Sequence, residues 1–199
     1  MEYVNSQTYF HIQAAAHWNR YPLWQVGDSI TIGQGKNPYF AYFDEFGGNL
    51  TNPNNGRGYS ANVVASLVLR HMDGQPQDPD LASFYHYDPR ETLVYTRDIL
   101  NHYTKFARET VYEEVRKQNF PELPSRQRCL WAIPDDANTA DYIRFWWPQI
   151  NPNNRRILKL ELSGKLHRAN QEFLLSVSNP LNFMRQYAFR YWIGEQGRS

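Results

Sequence analysis

Six histidines, at positions 11, 17, 71, 86, 102 and 167, and one cysteine, Cys129, are the side chains of this sequence best suited to ligate a metal or attack an electrophile. Their spacing supports neither role. There is no HExxH and no CxxC, so no metal site is expected. No GxSxG elbow marks a serine nucleophile. Neither GxGxxG nor GxxxxGK[ST] is present to cradle a phosphate. A Ser-His-Asp triad needs no proximity in sequence, but nothing favours one. Attention then falls on residues that bind, stack or neutralise charge. They lie in three separated stretches. The first is Tyr9-Phe10-His11-Ile12, followed by Val26-Gly27-Asp28-Ser29-Ile30-Thr31-Ile32-Gly33 and Asn37. The second holds Trp131 and, eleven residues later, Tyr142. The third runs from Arg156-Ile157 through Glu161 and Gly164 to His167-Arg168-Ala169-Asn170-Gln171-Glu172. Each pick has a plain structural alternative. His11 suits a core or edge histidine, Trp131 and Tyr142 suit core aromatics, and Glu172 suits an exposed strand start. Arg126 and Arg128 can grip a pyrophosphate bidentately or be solvated residues ahead of a strand.

In this order the three stretches resemble the His-Tyr-acid class of ADP-ribosyltransferases, in particular the small rifampin ADP-ribosyltransferase group and related uncharacterised bacterial domains. The likeness covers roughly residues 8–43 and 125–197. It implies one domain over 1–199, with 44–124 as a helical insertion, and a split, twisted antiparallel sheet of ADP-ribosyltransferase type holding NAD as substrate. It places His11 on a ribose hydroxyl and the backbone around Phe10 and Ile12 on the nicotinamide amide. Trp131 and Tyr142 would stack on nicotinamide, with Asn37 and Arg126 as further NAD contacts. Two departures stand out. The slot of the family's acidic residue falls near Ala169 or, shifted by one, Asn170. The nearest acid is Glu172, which takes the role of charge stabiliser, with Asn170 as the alternative. Trp131 replaces a tyrosine, keeping the ring and losing the hydroxyl. The implied activity is mono-ADP-ribosyl transfer to a protein, nucleic acid or small-molecule acceptor, as in a toxin or effector with a cognate antitoxin or inhibitor. A catalytically inactive NAD- or nucleotide-binding module is the alternative. A third reading, single-stranded nucleic-acid binding by Tyr, Trp and Arg, fits the aromatics and not the charge.

These residues need elements to hold them. The fold class expected is α+β, because strands and helices mix without strict βαβ alternation. Tyr9–Ile12 and Ser29-Ile30-Thr31-Ile32 read as strands, as do Cys129–Ile133 and Ile157–Leu162 with Gly164 breaking the latter. Phe173–Val177 reads as a further strand. Asn- and Gly-rich residues 44–58 read as a flexible loop. Ser60 can cap a helix to about Arg70 with Val63, Val64, Leu67 and Val68 on one side. The strongest periodicity predicts a helix from near Arg90 to about Lys117, with Glu113 and Lys117 able to pair. Asn138 or Thr139 can cap a helix carrying Tyr142, Phe145 and Trp146. Ser178-Asn179-Pro180 opens a last helix through Tyr191.

Composition sets the outer bounds. The 199 residues carry 21 Lys+Arg against 20 Asp+Glu, a formal net charge of +1, with 16% aromatics. Mean hydropathy is −0.71. Aromatic content on this scale argues against disorder, and near-neutrality against a strongly basic nucleic-acid binder. Residues 1–80 carry 4 basic and 7 acidic side chains, and 81–199 carry 17 and 13. No apolar run of about 18 residues is present, so no membrane span is expected. The N-terminal residues lack a signal-peptide pattern, and a lone cysteine suits a reducing compartment. A soluble, cytoplasmic protein is the expectation.

Overall fold

The N-terminal strand, thirteen residues long, carries the candidate histidine. The fold is that of a computed structural model, and it describes residues 1–14, 23–45, 49–52, 55–75, 89–147, 155–174 and 180–195. In chain order the elements are β1 (Glu2–Ala14), α1 (Pro38–Glu45), β2 (Asn49–Thr51), β3 (Gly58–Ser60), α2 (Ala61–Met72), α3 (Pro89–Asn119), β4 (Ile133–Pro134), α4 (Thr139–Trp146), β5 (Arg155–Leu166), a 3-10 turn (Gln171–Phe173) and α5 (Leu181–Trp192). This is an α+β architecture. Two compact units are present. One comprises Met1–Asp44, Glu109–Leu175 and Asn179–Ser199; the other comprises Glu45–Arg108 and Ser176–Ser178.

The first unit holds an antiparallel sheet ordered β4-β1-β5. Val4 lies opposite Gly164 and Gln7 opposite Leu162, so three residues of β1 advance against two of β5. That bulge lies at Asn5 and Ser6. Ser6 adopts φ +50°, and its N–H donates to Ser163 Oγ at 2.9 Å. An extra residue reverses the facing of every side chain beyond it. Val4 is buried before the bulge; Tyr9 and Gln13 are buried after it, and His11 shares their face. The even residues of β5 from Arg156 to Leu166 are half-buried, and Ile157, Lys159, Glu161, Ser163 and Lys165 are exposed.

In the same unit, residues of α3, the 3-10 turn and α5 build a core. Tyr112, Val115, Leu123, Phe173, Ala188, Tyr191 and Trp192 form one buried cluster. Its polar edges are satisfied. Trp192 Nε1 donates to the Tyr112 carbonyl at 2.8 Å, and the Tyr112 hydroxyl donates to the Phe173 carbonyl. Arg116 closes α3 by donating from Nη1 to the carbonyls of Pro121 and Leu123, each at 3.0 Å.

In the second unit β2 and β3 pair antiparallel, Leu50 opposite Tyr59, and α2 follows directly. Asn52 is buried at the hairpin end, where its N–H donates to the Arg57 carbonyl and its carbonyl accepts from Gly56 N–H, each at 2.8 Å.

Several expectations are corrected. Ser29–Ile32 belongs to no strand; Ile30 and Ile32 stand exposed, and alternation alone does not supply a pairing partner. The stretch expected as Cys129–Ile133 pairs only at β4, where Ile133 meets Phe10 and Pro134 meets Tyr9. Gly164 does not end β5; at φ +142° it stays paired within it. Part of the supposed loop 44–58 is the β2–β3 hairpin. Phe173 lies in a 3-10 turn, and 175–177 of the expected strand fall outside the described residues. Glu113 pairs with Arg116 at 2.8 Å, the closer partner on the buried face, not with exposed Lys117.

Candidate functional site

The inward face of β1 carries His11 between Tyr9 and Gln13, because side chains two apart share a face. His11 Nδ1 lies 3.0 Å from the Trp131 carbonyl oxygen. A carbonyl only accepts, so the proton is on Nδ1 and Nε2 keeps its lone pair. Burial lowers the His11 pKa below its ordinary 6.5, against the opposing pull of the Trp131 carbonyl. His11 is therefore neutral at pH 7, with Nε2 a hydrogen-bond acceptor. Its ring stands 5.5 Å from that of Trp24, tilted by 33°.

Trp131 follows a clamped turn. Asn37 is the residue before α1, with Pro38 at the first helical position, and Asn37 Oδ1 accepts from Phe40 N–H at 3.1 Å. This is N-capping. Asn37 Nδ2 donates to the carbonyls of Arg126 (2.9 Å) and Cys129 (3.1 Å), and its backbone N–H donates to the Gln127 carbonyl at 2.8 Å. Both amide hydrogens of Asn37 are thus used inside the protein. The clamp presents the indole of Trp131 with 43% of the residue exposed. Tyr39 meets that indole edge-on at 5.3 Å.

Beneath Trp131 lies a buried ion pair. Arg126 is 4% exposed and Glu109 1%. Arg126 Nε donates to Glu109 Oε2 at 2.8 Å, Nη2 to Oε1 at 3.0 Å, and Nη1 to the Tyr191 hydroxyl at 2.7 Å. The guanidinium carbon stands 5.1 Å from the Trp131 ring centre and 5.0 Å from that of Tyr191. Burial opposes the charge on Arg126, but Tyr191 and Glu109 outweigh it and hold its pKa above the ordinary value. Burial pushes the Cys129 thiol up to about 11, with Arg126 pulling the other way. Cys129 is therefore a thiol at neutral pH and a poor nucleophile.

The structure thus brings His11, Trp131, Asn37 and Arg126 into one connected cluster. Phe10 and Ile12 flank His11 on β1 and alternate to the opposite face. Tyr142 lies on α4, a helix with no buried residue. Asn170 precedes the 3-10 turn, where its Oδ1 accepts from Glu172 N–H at 2.8 Å. Glu172 is exposed. Among the described residues no hydrogen bond or ring contact joins Glu172, Asn170 or Tyr142 to His11 or Trp131. Among those same residues no cluster of His, Cys, Asp and Glu could hold a metal ion.

Sequence reasoning passed over Gln13, Trp24, Tyr39, Glu109 and Tyr191 as parts of this site, and placed Arg156 in the third stretch without giving it a role. Gln13 was the readable one, a polar residue at strand spacing from His11 on the buried face. Glu109 gave no such signal, since a charged position on a long helix ordinarily faces water. A comparison with known families matches residues 9–199 to one family model, described as a protein of unknown function (DUF2441). No curated protein matches the chain.

Proposed function

We propose, from the premise that this chain belongs to the DUF2441 family of proteins of unknown function, that it is a mono-ADP-ribosyltransferase that takes NAD as its substrate at the His11–Trp131 face. The observation that carries this reading is the hydrogen bond between His11 Nδ1 and the Trp131 carbonyl. A neutral imidazole, its Nδ1–H fixed by the Trp131 carbonyl, leaves Nε2 to accept from a ribose hydroxyl beside an exposed indole. An exposed indole can stack on a nicotinamide or adenine ring. The antiparallel β4-β1-β5 sheet is compatible with the core of an ADP-ribosyltransferase fold.

In the reaction the bond between nicotinamide N1 and ribose C1′ breaks and its electron pair leaves with nicotinamide. C1′ gains positive charge, and the acceptor nucleophile bonds to it and releases its proton. A carboxylate near C1′ favours that charge in the transition state. Glu172 is the group assigned to it, with Asn170 as the alternative. The backbone of Phe10 and Ile12 and the ring of Tyr142 act as accessory contacts, and Asn37 acts indirectly by holding the turn that presents Trp131. The acceptor is a protein, a nucleic acid or a small molecule, and the setting is cytoplasmic.

Incubation with NAD is expected to release nicotinamide, followed by chromatography. His11→Ala should weaken NAD binding at least about tenfold, the scale of a lost hydrogen bond plus stacking geometry. Glu172→Gln should lower turnover far more than NAD affinity. NAD binding with no release under any acceptor favours the second reading, an inactive nucleotide-binding module. What supports that second reading is the Asn170 side chain, occupied by the Glu172 N–H, and the lack of any bond from Glu172 to the His11 cluster. Absence of both binding and release sinks the two together.

A further inference from the structure

Arg126 is buried and already paired with the Glu109 carboxylate, and both side-chain amide hydrogens of Asn37 are bonded within the protein, so neither is placed to hold an anion at this site. Among the described residues the guanidinium nearest to doing so is Arg156. In the β1–β5 register Arg156 lies opposite Gln13 and Leu158 opposite His11. Arg156 therefore shares the face of His11, about 7 Å along the strand. Gln13 Oε1 accepts from Trp24 N–H at 3.0 Å and from Arg156 Nη2 at 3.2 Å, and Arg156 Nη2 also donates to the Trp24 carbonyl. With the Trp24 ring beside that of His11, the guanidinium, the indole and the imidazole form one wall.

The donor count of Arg156 does not close. A guanidinium has five N–H groups. Two, on Nη2, are used. The Nε–H is buried with no partner, and among the described residues the two N–H groups of Nη1 have none either. No described carboxylate pairs with Arg156, whereas Arg126, Arg116, Arg168 and Arg190 each hold one. A half-buried guanidinium with unused donors and no counter-charge is suited to a phosphoryl oxygen.

We infer that Arg156 is the phosphate-binding residue of this site, holding a phosphoryl group of a ligand whose ribose hydroxyl is taken by His11 Nε2. The register makes His11 and Arg156 diagonal neighbours on one face, roughly 7–8 Å apart, a separation that a nucleoside phosphate can span. That the phosphate belongs to a dinucleotide rests on the reading above; that Arg156 holds a phosphoryl group does not.

The test uses the full chain, with inorganic pyrophosphate, NAD and nicotinamide riboside as probes. The side-chain 15N–H resonance of Arg156 is followed by NMR, and affinities by calorimetry at two salt concentrations. Pyrophosphate is expected to shift that resonance. Arg156→Met should weaken NAD at least about tenfold and flatten its salt dependence, while the phosphate-free riboside changes less than about twofold. Arg156→Lys should fall between, since it keeps the charge and loses the fork. Lys159→Met removes a cation from the exposed face of β5, away from His11 and Arg156. It should leave NAD affinity within about threefold, with thermal melting as the control for folding. A loss of NAD and riboside affinity in equal measure, or a Lys159→Met loss as large as that of Arg156→Met, overturns the inference. So does an Arg156 resonance unmoved by pyrophosphate. Pyrophosphate shifting Arg156 while NAD fails to bind keeps the inference and removes the NAD reading; NAD binding with Arg156 silent does the reverse.

Discussion

At the scale of single residues, burial acts on charge in two opposite ways. It favours the neutral form of His11, whose hydrogen-bond partner is an uncharged carbonyl. It leaves Arg126 charged, because Glu109 and the Tyr191 hydroxyl compensate it. A pH dependence follows from the first. The folded pKa of His11 lies below 6.5, so the unfolded chain binds the extra proton more readily. The stabilising contribution is complete above about pH 6.5 and is lost as pH falls through the folded pKa. His167, whose pKa burial also lowers, contributes in the same direction. The urea midpoint should therefore drop between pH 7.5 and 5.5, and His11→Asn should reduce that drop. A midpoint slope unchanged by the substitution would show that His11 is already protonated or solvated in the folded state. Legibility at this scale was uneven. His11 announced itself as an imidazole in an aromatic strand, but its tautomer is set by Trp131, 120 positions away.

At the scale of elements, the bulge in β1 decides which residues face inward. Aromatic, β-favouring residues predict a strand around Tyr9–Ile12, and β1 is there, extended to Glu2–Ala14. Alternation could not reveal that the phase changes at Ser6, since the bulge depends on Ser163 across the sheet. Gly164, opposite Val4, has φ +142°, a conformation open only to glycine among the common residues. A Cβ there meets nothing within 4 Å, so any cost of substitution is backbone strain and not a clash. Gly164→Ala should destabilise by about 1–3 kcal/mol in chemical denaturation. A neutral result would mean that β5 relaxes locally around the bulge. The helices were easier to read. The 3.6-residue period found α3 to within two residues at each end, because a long repeated pattern outvotes local exceptions. Ser29–Ile32 failed for the converse reason: four alternating residues specify a strand only if a neighbour offers backbone partners.

At the scale of the molecule, the family match covers residues 9–199 and so reaches into both compact units. Within α3 the division falls between Arg108 and Glu109, placing the buried carboxylate in the same unit as Arg126 and Tyr191. That ion pair joins α3, the 125–129 turn and α5. Breaking it strands a charge in a buried place, at a cost of about 3–5 kcal/mol. Arg126→Met should lower thermal stability by that much, and the double variant Arg126→Met, Glu109→Met should recover a large part of it. The exposed Lys36–Asp44 pair, by contrast, is worth at most about 1 kcal/mol, and Lys36→Ala should leave the melting temperature nearly unchanged. A double variant no more stable than the single one would place the energy in packing against Trp131 and Tyr191 instead of in charge. No described helix is long and apolar enough to cross a membrane.

The amino-acid order by itself determined the α+β class, the long helix, the last helix and the shortlist of imidazole, indole and guanidinium groups. Those are consequences of local periodicity and side-chain type, which neighbouring residues are enough to express. Only the tertiary structure decided that Arg126 is spent on Glu109, that Asn37 is a cap and a clamp, and that Arg156 keeps unused donors beside His11. A guanidinium is free or committed according to which distant groups reach it, and that is a property of how strands and helices meet in space.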